Sequence, residues 1–214
     1  TDLSDMDLVK WLRVTSEEAR EKYLEKMVKS IGRAMITMHH YGYVHGDMKT
    51  NNILVKMNDG NPMFFLCDFG RTRKITSHNI HKYPSLERYR HPAKEASAFT
   101  KEFWAFMVIC VDVICGKISS FRTIRDKKDI LKVLQGKKIP SFFWSFFGDL
   151  IDGKLIRIER SLSYDPPKII SFLRNDLEQS KAIFEFFRSK NMHLDERKLE
   201  IIRDMIEATL FHSV

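Results

Sequence analysis

Two short apolar runs, Ile53-Leu54-Val55-Lys56-Met57 and Met63-Phe64-Phe65-Leu66-Cys67, bracket the string Asn58-Asp59-Gly60-Asn61-Pro62. Turn formers between two strand-like runs predict a β-hairpin. This hairpin constrains the chain more than any other feature because of what stands on its flanks. His45-Gly46-Asp47-Met48-Lys49-Thr50-Asn51-Asn52 leads into the first run, and Asp68-Phe69-Gly70 leaves the second. Asn52 and Asp68 lie eight residues on either side of Gly60. An antiparallel hairpin folded about that glycine brings them to one end, on neighbouring strands about 5 Å apart. An amide oxygen and a carboxylate held side by side are hard ligands suited to Mg²⁺, whose remaining positions go to water and phosphate. Asp47 and Lys49, on the loop feeding the first strand, add a base and a cation to the same end.

Around the hairpin the texture is helical. Thr15-Ser16-Glu17-Glu18 has the form of a capping box, with Thr15 as N-cap and Glu18 three residues on. Behind it Tyr23, Met27, Ile31, Met35 and Met38 recur at helical spacing, which predicts a helix over 16–40 ending near Gly42. A short helix is expected over 3–12. Residues 71–99 are basic, aromatic and irregular, the composition of a long loop. Thr100 is placed to cap an apolar helix over 101–115 that Gly116 closes. Further helices are expected at 126–135, 175–189 and 195–211, the last with Leu199, Ile202, Met205, Ile206 and Leu210 in one stripe. The fold class is mainly α with a small β-hairpin.

With 43% hydrophobic residues the chain can build a core, which excludes a disordered or low-complexity class. Three cysteines without a C-x-x-C pair predict reduced thiols, not a disulfide framework or zinc site. The longest apolar run, Phe103 to Val111, is too short to span a bilayer. Thr1-Asp2-Leu3-Ser4-Asp5 has neither the basic nor the apolar region of a signal peptide. Together these lead to the expectation of an intracellular protein, cytoplasmic or nuclear, with no membrane association.

The flanking motifs resemble the catalytic core of the eukaryotic-type protein kinase family. H-G-D-M-K-T-N-N is similar to the H-x-D-x-K-x-x-N catalytic loop, and Asp68-Phe69-Gly70 carries D-F-G. Glu102-Phe103-Trp104-Ala105-Phe106-Met107-Val108 resembles D-x-W-S-x-G-V, and the span from Asp68 to Tyr89-Arg90-His91-Pro92 has the length of an activation segment. The resemblance is clearest over 3–135, with 136–214 a divergent helical remainder. It implies a kinase-like C-terminal lobe in which Asp47 orients the acceptor hydroxyl and Lys49 neutralises the γ-phosphate. Asn52 and Asp68 would then hold Mg²⁺, and the cofactors would be ATP and Mg²⁺. Lysine at 49 favours Ser/Thr acceptors, since tyrosine kinases carry an Ala-Ala-Arg pattern there.

The departures from that pattern carry their own expectations. No G-x-G-x-x-G loop and no V-A-I-K strand precede His45, so the nucleotide-covering N-terminal lobe is expected to be absent from the chain. Gly46 stands in place of the H-R-D arginine, which removes the usual partner of an activation-segment phosphate; H-G-D also occurs in vaccinia-related kinases. Ala93 replaces the A-P-E glutamate and Glu102 replaces an aspartate, a divergence suggestive of a viral protein or a pathogen effector. The net charge of +8 concentrates in two segments. Residues 71–94 hold seven Lys/Arg against Glu87, and 117–138 hold eight against Asp126 and Asp129. If both segments flank a peptide groove, they would attract acidic or phospho-primed protein substrates. Neither shows the interleaved aromatics of a nucleic-acid platform, which disfavours nucleic acid. Two functions emerge: the catalytic lobe of a Ser/Thr protein kinase working with a separate N-terminal lobe or regulatory partner, and a pseudokinase scaffold that binds a kinase or its substrates. Phe142-Phe143-Trp144-Ser145-Phe146-Phe147 is left as either buried core or docking surface.

Overall fold

The structure, a computed structural model, describes residues 6–118 and 124–152. β1 (Met6–Asp7) runs directly into α1 (Leu8–Val14), whose N-cap Asp7 accepts the Lys10 N–H at 2.8 Å. The helix therefore starts later than its expected span. α2 (Glu17–His40) is capped by Ser16, not Thr15; its hydroxyl accepts the Ala19 N–H at 3.3 Å. A serine one residue later does the same work, so the signature is displaced by one position. The expected stripe holds: Met27, Ile31, Met35 and Met38 are buried, while Tyr23 is half-buried and its hydroxyl donates to Asn61 Oδ1 at 3.1 Å.

β2 (Tyr43–Val44) precedes the hairpin, which consists of β3 (Ile53–Asn58) and β4 (Asn61–Leu66). Ile53 pairs with Leu66 and Asn58 with Asn61, so the turn is the two-residue Asp59-Gly60. Both have positive φ, 48° and 78°. That is the mirror-image turn whose twist suits a hairpin, and glycine enters its second position without steric cost. β1 pairs with the outer side of β3 to complete a three-stranded antiparallel sheet. β5 (Arg73–Lys74) pairs with β2 in a separate two-stranded sheet that the sequence did not signal. The rest of 71–97 is irregular apart from a short 3-10 turn at Glu87–Tyr89, as the composition implied.

α3 (Ala98–Cys115) begins at the N-cap Ser97, whose hydroxyl accepts the Thr100 N–H at 3.1 Å, so Thr100 lies inside the helix and is not its cap. Gly116 closes it in the left-handed conformation, as expected. Every residue from Glu102 to Ile114 is buried. A helix apolar on all sides belongs at the centre of a fold, and α3 packs against α2, α4 (Lys127–Val133) and α5 (Ser141–Ile151). α5 carries the aromatic string. Phe143, Phe146 and Phe147 are buried, and the Phe146 and Phe147 rings meet Phe103 and Phe106 with centroids 5.7 and 5.9 Å apart. Phe142 and Trp144 are half-buried against the same core. Cys67, Cys110 and Cys115 form no disulfide with one another. Among the described residues no helix is long and apolar enough to cross a membrane. The helices expected at 175–189 and 195–211 lie outside the described residues.

Candidate active site

The hairpin register decides how the site is assembled. Its symmetry axis falls between Asp59 and Gly60, not on Gly60, so Asn52 faces Cys67, whose N–H donates to the Asn52 carbonyl at 2.9 Å. Asp68 therefore stands one residue beyond the strand position opposite Asn52. It is exposed and adopts a left-handed conformation with φ 63° and ψ 64°. A non-glycine residue there is uncommon and is held by its surroundings, a form of local strain that clusters at functional sites.

Asp47 is the most heavily engaged of the four candidate residues. Its Oδ2 lies 2.7 Å from Lys49 Nζ and 3.1 Å from Asn52 Nδ2, and its Oδ1 lies 3.4 Å from Arg71 Nη1. Asn52 Nδ2 also donates to the Asp47 carbonyl at 2.9 Å. Burial would raise the Asp47 pKa, but Lys49, Asn52 and Arg71 together hold it below the ordinary aspartate value, so the carboxylate is ionised. With its amide nitrogen turned to Asp47, Asn52 has its oxygen as the atom that can ligate a cation. An amide oxygen and the exposed Asp68 carboxylate fit the hard-donor preference of Mg²⁺. The structure thus brings Asp47, Lys49 and Asn52 into one hydrogen-bonded group and sets Asp68 just past the paired strands.

Arg71 was visible in the sequence only as part of a basic segment. Two features bring it to Asp47. β2–β5 pairing returns the chain after Asp68-Phe69-Gly70 to the strand before His45, and the 3-10 turn Phe69–Arg71 lies against the loop at Gly46. Gly46 has φ 82°, and a Cβ there would overlap the Arg71 carbonyl oxygen. Only glycine lets the two segments approach so closely. An arginine at 46, as in H-R-D, would force the turn aside.

Glu102 supports the loop from below. It is fully buried; its Oε2 receives His39 Nε2 at 2.7 Å, and its Oε1 receives the Gly46 N–H at 2.8 Å and the Tyr83 hydroxyl at 3.2 Å. Burial pushes its pKa up, but the bond and charge of His39, together with His45 and the Gly46 N–H, outweigh it and leave the acid ionised. His39 and Tyr83 are functional neighbours that sequence reasoning missed. Neither belongs to a motif, and partners 63 and 19 residues apart along the chain leave no local signal.

Two lysines of the second basic segment lie away from the site. Lys137 pairs with Glu17 at 2.9 Å and Lys138 pairs with Glu21, both near the start of α2. His39 at the other end of α2 is the residue that meets Glu102. At 1.5 Å per residue these ends are about 30 Å apart, so Lys137 and Lys138 do not flank a peptide bound at Asp47. Lys127 pairs with Asp152 at 2.9 Å. In the first segment Arg88 is bound to the buried Asp112, and Arg73 donates to the Lys82 carbonyl. Arg71, Lys74 and Arg90 are exposed.

Comparison with known proteins bears on the same residues. The family model described as protein kinase domain matches residues 2–189. MAP kinase-activated protein kinase 2 of Cricetulus longicaudatus is 31% identical over 101 residues, covering 45% of this chain and 30% of that protein. Mitogen-activated protein kinase mpkC of Aspergillus niger is 23% identical over 257 residues, covering 100% of this chain and 62% of its own length. Serine/threonine-protein kinase Kist of Mus musculus is 30% identical over 95 residues, covering 44% of this chain and 22% of that protein. The chain matches less than two thirds of the length of each of these relatives.

Proposed function

Because the chain belongs to the protein kinase domain family, we propose that it is the acceptor-side lobe of a Ser/Thr protein kinase, passing the γ-phosphate of ATP to a protein hydroxyl. In this reading the nucleotide-covering lobe lies outside residues 1–214. Asp47 accepts the hydroxyl proton or orients the hydroxyl for attack, and Lys49 offsets charge on the transferring phosphoryl group. Asn52 and Asp68 are the residues that would hold Mg²⁺, which when bound neutralises phosphate oxygens. The observation that carries the reading is the Asp47 carboxylate held by Lys49 and Asn52 on the loop that enters the hairpin, with Asp68 just past the hairpin's other strand. Lysine at 49 and the name of one relative, serine/threonine-protein kinase Kist, support Ser/Thr as acceptor. Arg71, Lys74 and Arg90, exposed in the first basic segment, support a preference for acidic or phospho-primed sequences.

Asp47→Ala, made in the kinase with its nucleotide-binding lobe present, should lower kcat by about 10²–10⁴-fold, measured per molecule of folded protein. Equal turnover by variant and wild type would overturn the proposal. The scaffold reading draws on one observation: both Asp47 oxygens already have cationic partners, through Lys49 and Arg71. A wild-type protein that binds acceptor and Mg²⁺·ATP but transfers no phosphate would favour it.

A further inference from the structure

Tyr83 belongs to none of the motifs that carry the kinase resemblance, yet its hydroxyl joins two parts of the site. It donates to Glu102 Oε1 at 3.2 Å and accepts the Met48 N–H at 3.4 Å. Both capacities of a phenolic hydroxyl are thereby used. Met48 follows Asp47, and the same Glu102 oxygen receives the Gly46 N–H at 2.8 Å. One carboxylate oxygen therefore ties the catalytic loop to the segment after Asp68-Phe69-Gly70. A second tie comes six residues further on, where the buried Tyr89 hydroxyl lies 3.4 Å from the Thr50 nitrogen and 3.2 Å from Thr50 Oγ1. The loop from Gly46 to Thr50 is thus met by two tyrosine hydroxyls from one segment.

Segments of this kind are commonly ordered by a phosphate paired with arginine. At position 46 there is no side chain to supply that pairing, and the Arg71 carbonyl fills the space where one would begin. We infer that Tyr83 is a positioning residue for the protein acceptor, its hydroxyl clamping this segment to the catalytic loop in place of a phosphate–arginine pair. The inference rests on the kinase reading above. Burial raises the Tyr83 pKa well above the ordinary tyrosine value, so the hydroxyl keeps its proton and can donate.

The test is Tyr83→Phe in the full-length kinase, which removes one oxygen and keeps the ring. Amide hydrogen exchange over 76–96 should rise about tenfold while α2 and α3 are unchanged. The KM for an acceptor peptide should rise about tenfold, with the KM for ATP within about twofold of wild type. Loss of folded protein would instead lower kcat without this split. Phosphatase treatment of the wild type should leave its acceptor KM within about twofold. An unchanged acceptor KM in Tyr83→Phe overturns the inference, and so does a tenfold loss of acceptor binding when the wild type is dephosphorylated. If the protein turns over no acceptor, exchange alone decides: wild-type protection in the variant overturns the clamp. Equal turnover by Asp47→Ala and wild type strikes the kinase reading and leaves the exchange result standing.

Discussion

His45 is fully buried, with Nε2 2.8 Å from the Cys67 carbonyl and Nδ1 3.3 Å from the Asp47 N–H. A carbonyl only accepts, so Nε2 carries the proton and Nδ1 the lone pair, and the ring is neutral in one tautomer. Burial lowers its pKa from 6.5, against weaker opposing effects from Glu102, the Cys67 carbonyl, Asp47 and Asp68. The unfolded chain therefore takes up this proton at higher pH than the folded one. Stability from a neutral His45 is complete above about pH 6.5 and declines as pH falls toward the lower folded value. Asp47 and Glu102 are also lowered, from 3.8 and 4.5, so their contributions fade only at more acid pH. His45→Phe keeps a ring beside Phe69, whose centroid lies 5.0 Å away, but has nothing to titrate. The fall in Tm between pH 7 and pH 5 should be shallower in the variant than in wild type. Parallel slopes would remove His45 as the source of acid sensitivity.

At the scale of elements, the hairpin turn sets where Asn52 and Asp68 end up. Gly60 has φ 78° and no neighbour within 4 Å of an added Cβ. Gly60→Ala is therefore strained by backbone conformation alone, and should cost about 1–2 kcal/mol in denaturant unfolding. A loss below about 0.3 kcal/mol would show that the turn relaxes freely. The same turn shows how far local pattern reaches. The runs flanking Asn58–Pro62 announced a hairpin, and the Met27–Met38 stripe announced α2, because each depends on spacing within one element. Which residue of the turn carries the symmetry axis depends on turn type, and a shift of one residue moved the Asn52 partner from Asp68 to Cys67. The caps slipped for a related reason: Thr15 and Thr100 have the right chemistry, but Ser16 and Ser97 are equally able and lie nearby. The motifs made Asp47, Lys49, Asn52 and Asp68 legible. Arg71, Tyr83 and His39 join them only through long-range packing, which no local window records.

For the molecule as a whole, the arrangement predicts weak nucleotide binding by residues 1–214 alone. The described residues before His45 form β1, α1, α2 and β2, with β1 added to the edge of the hairpin sheet and α1 packed on it through Trp11 and Phe64, centroids 5.4 Å apart. Among them is no strand pair with a glycine-rich turn to cover phosphates. Among the described residues, Mg²⁺·ATP placed at this site would meet Asn52, Asp68 and Lys49 on one side, with no glycine-rich cover on the other. Asp68 is exposed, and Lys49 is already bound to Asp47 at 2.7 Å, so each contact to phosphate is made against water or against an existing partner. Exposed ion pairs of this kind contribute about 0–1 kcal/mol each, and two or three do not offset the cost of immobilising a flexible triphosphate. The expected dissociation constant is weaker than about 1 mM, corresponding to roughly 4 kcal/mol of binding free energy. Adding the nucleotide-covering lobe should tighten it into the micromolar range. Calorimetry on residues 1–214 that found micromolar Mg²⁺·ATP affinity would mean that this lobe holds the nucleotide by itself, and would overturn the division of labour proposed for the two lobes.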